Sequence, residues 1–193
     1  LGVFGKMRVA ILISDKLDFK IKKVKKNTEE HFIMIKEIMH QEDITLINTY
    51  ASNRGALKYV KQLLTEMKRK TDQNTIIVGN LNTPLLDMDR SFKQKINKKI
   101  TILKDALEEL YIIDVYRAFH LKTTSYTFFS SAHETFLSID HIPGHRDSLK
   151  KYERVGVIPT IFSDHNAFKL EIDCKKRRKN YKYMKIKQHA TEE

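Results

Sequence analysis

Apolar residues along this chain fall into short runs that end abruptly at polar or turn-forming residues. Residues 9–13 (VAILI) run into Ser14-Asp15-Lys16, the pattern of a buried strand ending in a turn. Phe19, Ile21 and Val24 then alternate with Lys20, Lys22, Lys23, Lys25 and Lys26, which predicts a half-exposed strand. Further strands are expected at 31–35 and 43–47, the second running on to Tyr50. After the loop Ser52-Asn53-Arg54-Gly55, the residues Leu57, Val60, Leu63, Leu64 and Met67 recur at helical spacing. Thr75-Ile76-Ile77-Val78 is the next strand. Beyond Pro84, the positions Ile96, Ile100, Leu103, Leu107 and Leu110 predict a long helix, with residues 112–115 closing that helical unit. The remainder reads as strands at 126–129 and 136–142, joined by a loop at 130–134, and a last pair at 155–161 and 167–172. Strands outnumber helices and mix hairpins with helical crossovers. This predicts an α/β fold of two sheets packed face to face with helices outside, its site gathered on loops at one end of the strands.

The chain has 193 residues, 41% of them hydrophobic, enough for one domain with a substantial core. Charge changes the picture further. The 36 Lys and Arg against 24 Asp and Glu give a net +12, which favours a polyanionic partner, nucleic acid first among them. A generally basic surface with no specific partner is the other reading. The single cysteine, Cys174, excludes an intramolecular disulfide and a cysteine-rich zinc site, and suits a reducing compartment, nucleus or cytosol. No apolar run reaches transmembrane length, and residues 1–4 lack the pattern of a signal peptide. Residues 175–179 (KKRRK) open a stretch with no acid before Glu192. That shift divides the chain into a domain over 1–173 and a basic tail or linker over 174–193.

The candidate chemistry sits where strands run out. Asp164-His165 puts an acid beside an imidazole, a pair able to polarise a phosphoryl oxygen. A histidine satisfied at a strand start is the plainer alternative. Asp140 lies inside an apolar strand pattern, where a carboxylate is costly unless paired, and His165 is the partner that would use it. Asn80 and Asn82 follow a buried strand. An amide can donate to a phosphate oxygen, but Asn is also a natural turn former. Tyr50, at another strand end, offers a hydroxyl to a phosphate or simply packs at the edge of the core. Thr127, Arg90 and the loop at 130–138 are within the same group of segments and could touch nucleic acid. The remaining histidines (His31, His40, His120, His133, His141, His145, His189) show no zinc-ligand spacing, and there is no Gly-rich phosphate loop.

Taken in order, VAILISDK (9–16), TLINTYASN (45–53), TIIVGNLNTPL (75–85), YTFFSSAHETFLSIDHI (126–142) and SDHNAFKLEI (163–172) resemble the endonuclease domain of LINE-type retrotransposon second-reading-frame proteins. That domain is a member of the endonuclease/exonuclease/phosphatase superfamily. The resemblance covers nearly all of residues 9–173. It implies a four-layer sandwich of two mixed sheets flanked by helices, nicking DNA with one divalent metal, usually Mg²⁺. By the same resemblance His165 would stabilise the scissile phosphate, Asp140 would pair with His165, and Asp164 would help at the metal or support the site. Asn82 would orient phosphate and water, Tyr50 would bind phosphate, and Thr127, Arg90 and the hairpin loop after Phe129 would place the DNA strand. A reverse-transcriptase region in cis is the implied partner in the intact family protein.

Two departures follow from the same comparison. The family has an aspartate, which prepares the attacking water, where this chain has Asn80. Its first strands and helix, with a catalytic asparagine and the metal-binding glutamate of a Gln-Glu-Thr segment, are not supplied by residues 1–8, and Gln41-Glu42 reads as a turn between later strands. The expected function is therefore an endonuclease-like domain with impaired catalysis. An active nickase in a longer product and a non-enzymatic nucleic-acid-binding module stay open beside it.

Overall fold

The computed structural model describes residues 2–4, 9–17, 19–26, 31–39, 42–67, 72–91 and 98–172. The basic tail, Gln41, His40, Ile96 and His189 lie outside the described residues. In chain order the elements begin with β1 (Gly2–Phe4), β2 (Ile11–Ile13), β3 (Phe19–Lys26), β4 (Phe32–Met39) and β5 (Glu42–Tyr50). Helix α1 (Ala56–Met67), β6 (Thr75–Asn80), a 3₁₀ turn (Asp87–Asp89), α2 (Lys98–Glu109), β7 (Ile112–Asp114) and α3 (Val115–Phe119) follow. The chain continues through β8 (Phe128–Ser130), β9 (Thr135–Leu137), β10 (Asp140–His141), β11 (Pro143–His145), a second 3₁₀ turn (Arg146–Lys151), β12 (Tyr152–Ile158) and β13 (Ala167–Ile172).

A seven-stranded mixed sheet organises the molecule, in the order β3-β4-β5-β6-β11-β7 with β10 also on β6. Helix α1 is the crossover between β5 and β6, which pair in parallel, while the other pairs in this sheet are antiparallel. Successive residues of β5 and β6 point to opposite faces. Ile47 and Ile77 face Leu63 of α1, and Val60 and Leu64 of α1 meet Leu103 and Leu107 of α2. Leu46, Ile76 and Val78 face the other way, onto Val155 of β12 and Phe168 and Leu170 of β13. Helices, large sheet and the β12–β13 hairpin are thus stacked layers, with α3 against β12.

Four details depart from the pattern-based reading. Residues 112–114 do not end a helix: they form β7, paired with β11, because Ile112 and Ile113 carry strand propensity and the following Asp114 caps α3. The expected strand over 136–142 is broken into β9 and β10, and the chain then resumes as β11 after Ile142. Pro143, with no N–H to give, sits at that break. Ile161 lies beyond the end of β12 in the loop to β13. Glu42 opens β5 rather than sitting in a turn.

Candidate functional site

Three strands carry the site's first residues in a single row. Tyr50 is in register with Asn80 across the parallel β5–β6 pair, and Asn80 is in register with Asp140 across the antiparallel β6–β10 pair. Directly opposed residues share a face of a sheet, so these side chains project together from one end of the large sheet. Gly79 makes the row possible. A Cβ there would stand 2.2 Å from the Thr49 carbonyl oxygen, so only glycine lets β5 and β6 approach so closely one residue before Asn80.

His165 joins the row from the β12–β13 hairpin. Its Nδ1–H donates to Asp140 Oδ2 at 2.8 Å, and both side chains are buried. A carboxylate at Nδ1 fixes the proton on that nitrogen, so the ring's chemistry is decided at Nε2. The ring packs on Phe128, with centroids 4.7 Å apart. Below it, the His165 N–H donates to Ser163 Oγ at 3.1 Å. Asp164 itself is exposed, and its backbone carbonyl accepts from Phe129 N–H at 3.0 Å, tying this loop to β8.

Asn82 adopts a left-handed backbone with φ of 47°, which Asn tolerates better than most residues. Its N–H donates to Asn80 Oδ1 at 2.7 Å, and its Nδ2–H donates to the Ala51 carbonyl at 2.5 Å. Turn formation and placement beside the row are therefore the same fact. Thr127 is buried under Asp140. Its Oγ1 accepts from Ile139 N–H at 3.1 Å and Asp140 N–H at 3.2 Å, so its hydroxyl props the strand that carries the carboxylate. Arg90 bridges Leu137 through its backbone and sits at the start of the β8–β9 region.

A second layer of polar residues lies beneath, and the sequence pattern gave no warning of it. His141 Nδ1 is 2.6 Å from Asp114 Oδ2, and His141 Nε2 is 2.9 Å from the Thr83 carbonyl. Burial works against charge on this ring. The hydrogen bond and negative charge of Asp114, the charge of Asp89 and the Thr83 carbonyl outweigh it and hold the pKa above the ordinary histidine value. Asp114 Oδ1 also caps α3, accepting from Tyr116 N–H at 2.9 Å. Nearby, Arg117 clamps Asp89 through Nε at 2.9 Å and Nη2 at 2.5 Å, and Asp89 Oδ2 accepts the N–H groups of Leu85 and Leu86. The one sequence signal available was Asp114-Val-Tyr-Arg117, an acid at a strand end followed three residues later by a base.

Among the described residues no three His, Cys, Asp or Glu side chains converge as a cation would need. Asp140 is engaged by His165, and Asp164 stands exposed without a second carboxylate. A hard cation such as Mg²⁺ takes oxygen ligands, commonly carboxylates. The described donors do not fit such a site by themselves.

The chain has the mixed α/β architecture of AP endonuclease-like nucleases, a large mixed sheet with flanking helices. It is similar to the endonuclease domain of TRAS1, a telomere-specific non-LTR retrotransposon, with a TM-score of 0.69 and 16% identity over 91% of this chain and 81% of that one. An AP endonuclease from Archaeoglobus fulgidus gives a TM-score of 0.67 and 16% identity over 80% of this chain and 72% of that one. A 3′ phosphatase from Neisseria, NExo, solved bound to a product DNA hairpin, gives 0.63 and 19% over 79% and 71%. At these identities the likeness is one of fold. No family model matches the chain.

Proposed function

We propose that this chain is a DNA-engaging, endonuclease-type domain of the LINE retrotransposon kind whose hydrolytic step is impaired at Asn80. One observation carries the reading. Asn80 occupies the middle of the row, between Tyr50 and the Asp140–His165 pair. In this reading the phosphodiester lies against the row. His165, oriented by Asp140, meets a phosphoryl oxygen through Nε2, and the second amide hydrogen of Asn82 meets another. An attacking water beside the row would need a group that accepts its proton. Asn80 is a neutral amide, already accepting the Asn82 N–H, and it cannot act as that base. The net charge of +12 supports a polyanionic partner whether or not the bond is cut. It also favours the second reading, a non-enzymatic nucleic-acid-binding module. The retrotransposon assignment, with a reverse-transcriptase region in cis, rests on the ordered sequence segments.

The test is nicking of supercoiled plasmid in Mg²⁺. The chain should cut at background; fused behind an upstream segment that carries the Gln-Glu-Thr carboxylate, the Asn80→Asp form should cut about 10²-fold faster than the same fusion with Asn80, the size of a single well-placed catalytic group. Cleavage by the unaltered chain that vanishes in His165→Ala and in EDTA would overturn the impairment. No gain from Asn80→Asp, with DNA binding intact, would favour the binding module.

A further inference from the structure

Two of the most exposed large apolar side chains stand together three and four residues before His165. Ile161 is 91% exposed and Phe162 is 90% exposed. Single exposed apolar residues need no explanation, and Leu121, 76% exposed in a turn, is one such. The pair at 161–162 differs in its setting. The loop between β12 and β13 is held in shape. Thr160 N–H donates to Asn166 Oδ1 at 3.2 Å, and Phe162 N–H donates to Thr160 Oγ1 at 3.2 Å. Asn166 is itself anchored, its Nδ2–H donating to the Tyr126 carbonyl at 3.0 Å and its N–H to the Thr127 carbonyl at 2.7 Å. A braced loop that could have turned a phenylalanine inward instead presents it to solvent, beside the residue that carries the chemistry.

We propose that Ile161 and Phe162 form an apolar stacking wedge that receives an unstacked nucleobase of the DNA strand lying across His165. The proposal rests on the DNA-engaging reading above. Three features choose this occupant. The chain's charge of +12 selects a polyanion over an apolar peptide. An aromatic face accepts any base, with no hydrogen-bond code, and base–aromatic stacking is a sequence-tolerant source of affinity. Reach fits as well. Phe162 is three positions before His165, so their Cα atoms lie within about 11 Å. That is the span of about three nucleotides at the rise of a DNA strand. A base within that distance of the phosphate at His165 is within reach of the Phe162 ring, and splaying it from its neighbours would also open the backbone to the row. On the other flank of the same segment, Phe129 and Phe136 pack ring to ring at 4.7 Å and remain partly exposed, and Phe129 N–H is bonded to the Asp164 carbonyl. The segment before His165 thus carries exposed apolar surface at Ile161 and Phe162 and, through Asp164, is bonded to the strand that carries Phe129.

The chain has no tryptophan, so Phe162→Trp installs a single reporter at the wedge. The probes are a mixed-sequence 20-nucleotide single strand and its duplex, with anisotropy of labelled copies reporting binding independently. Emission of the Phe162→Trp chain should be quenched at least about twofold on saturation by stacking on a base, while Leu121→Trp should not respond. Phe162→Ala should weaken binding about tenfold with an unchanged salt slope, since no phosphate contact is lost. Binding by anisotropy with an unquenched Trp and unchanged Phe162→Ala affinity overturns the wedge and leaves the DNA reading standing. No anisotropy change for the unaltered chain removes the DNA reading, and the wedge with it.

Discussion

His141 and Glu37 set opposite problems for a buried ionisable side chain and lead to the same dependence on pH. His141 has an acceptor on each ring nitrogen, the Asp114 carboxylate and the Thr83 carbonyl, so both nitrogens carry protons and the ring is an imidazolium. Its pKa is raised, so its contribution is complete below the unfolded value and fades as pH climbs through the folded one. Because Thr83 follows Asn82, this charged ring also holds the turn that carries Asn82. Imidazole ¹⁵N shifts of His141 should therefore report two protonated nitrogens at pH 7, and His141→Gln should cost about 3 kcal/mol by leaving Asp114 without its cation. Glu37 is 1% exposed on β4, with both carboxylate oxygens unpartnered, and burial pushes its pKa up to about 8. The unfolded carboxyl ionises near 4.5, so stability is full below that value and falls as pH rises to about 8. The loss is on the order of 1 kcal/mol for each pH unit in that window. Urea unfolding at pH 5 and pH 8 should show this decline, and Glu37→Gln should flatten it to the part that His141 contributes. A stability that rises with pH over this range would contradict both assignments.

At the scale of elements, the strands were legible wherever an apolar run met a polar stop. The runs at 75–78 and 43–47 locate β6 and β5, and hence Asn80 and Tyr50 at their ends. Helix α1 follows from its spacing alone. What failed to show was structure made by pairing rather than by periodicity. β7, β10 and β11 are two or three residues long and exist because β6 and one another offer backbone partners, so no window of sequence contains their signal. The polar layer beneath the site was hidden for a related reason. Asp89, the Asp114–Arg117 pair and His141 come from three separate segments, and only packing tells a buried polar residue from a solvated one. The chemical roles of the row are likewise absent from any spacing. Gly79 is the position where element and site meet. Adding a Cβ there meets the Thr49 carbonyl at 2.2 Å and Thr49 Cγ2 at 2.5 Å, and the carbonyl cannot move away while β5 and β6 stay paired. Gly79→Ala should lower stability by about 2–3 kcal/mol through overpacking. It should also shift the amide resonances of Tyr50 and Asn80, whereas the solvent-facing Gly156→Ala, where a Cβ meets nothing within 4 Å, should do neither.

Over the whole molecule, the layered core places the row, and on the proposed DNA-engaging reading net charge would govern how a strand reaches it. The core between the large sheet and the β12–β13 hairpin runs through Leu46, Ile76, Val155 and Leu170, so the His165 loop is attached to one layer and Asn80 and Asp140 to the other. Their 2.8 Å hydrogen bond is therefore also a contact between layers, and the site's geometry depends on the packing of the two. Charge is distributed differently from structure. Residues 174–193 hold eight Lys and Arg against two Glu, which is six of the chain's twelve net positive charges. Each phosphate neutralised releases condensed counterions, so log affinity falls with log salt by about 0.9 per contact on duplex DNA. If the tail supplies contacts in proportion to its charge, a chain ending at Asp173 should bind duplex DNA more weakly, with a salt slope about half that of the full chain. The wedge and the row should be untouched by that truncation, so Phe162→Ala should weaken both forms by the same factor. An unchanged slope after truncation would assign the contacts to the layered domain itself. The exposed lysines of β3, Lys20 and Lys23, would then be the first positions to neutralise, because they lie on an edge strand to which no further strand is bonded among the described residues, while Lys22 is paired with Asp43.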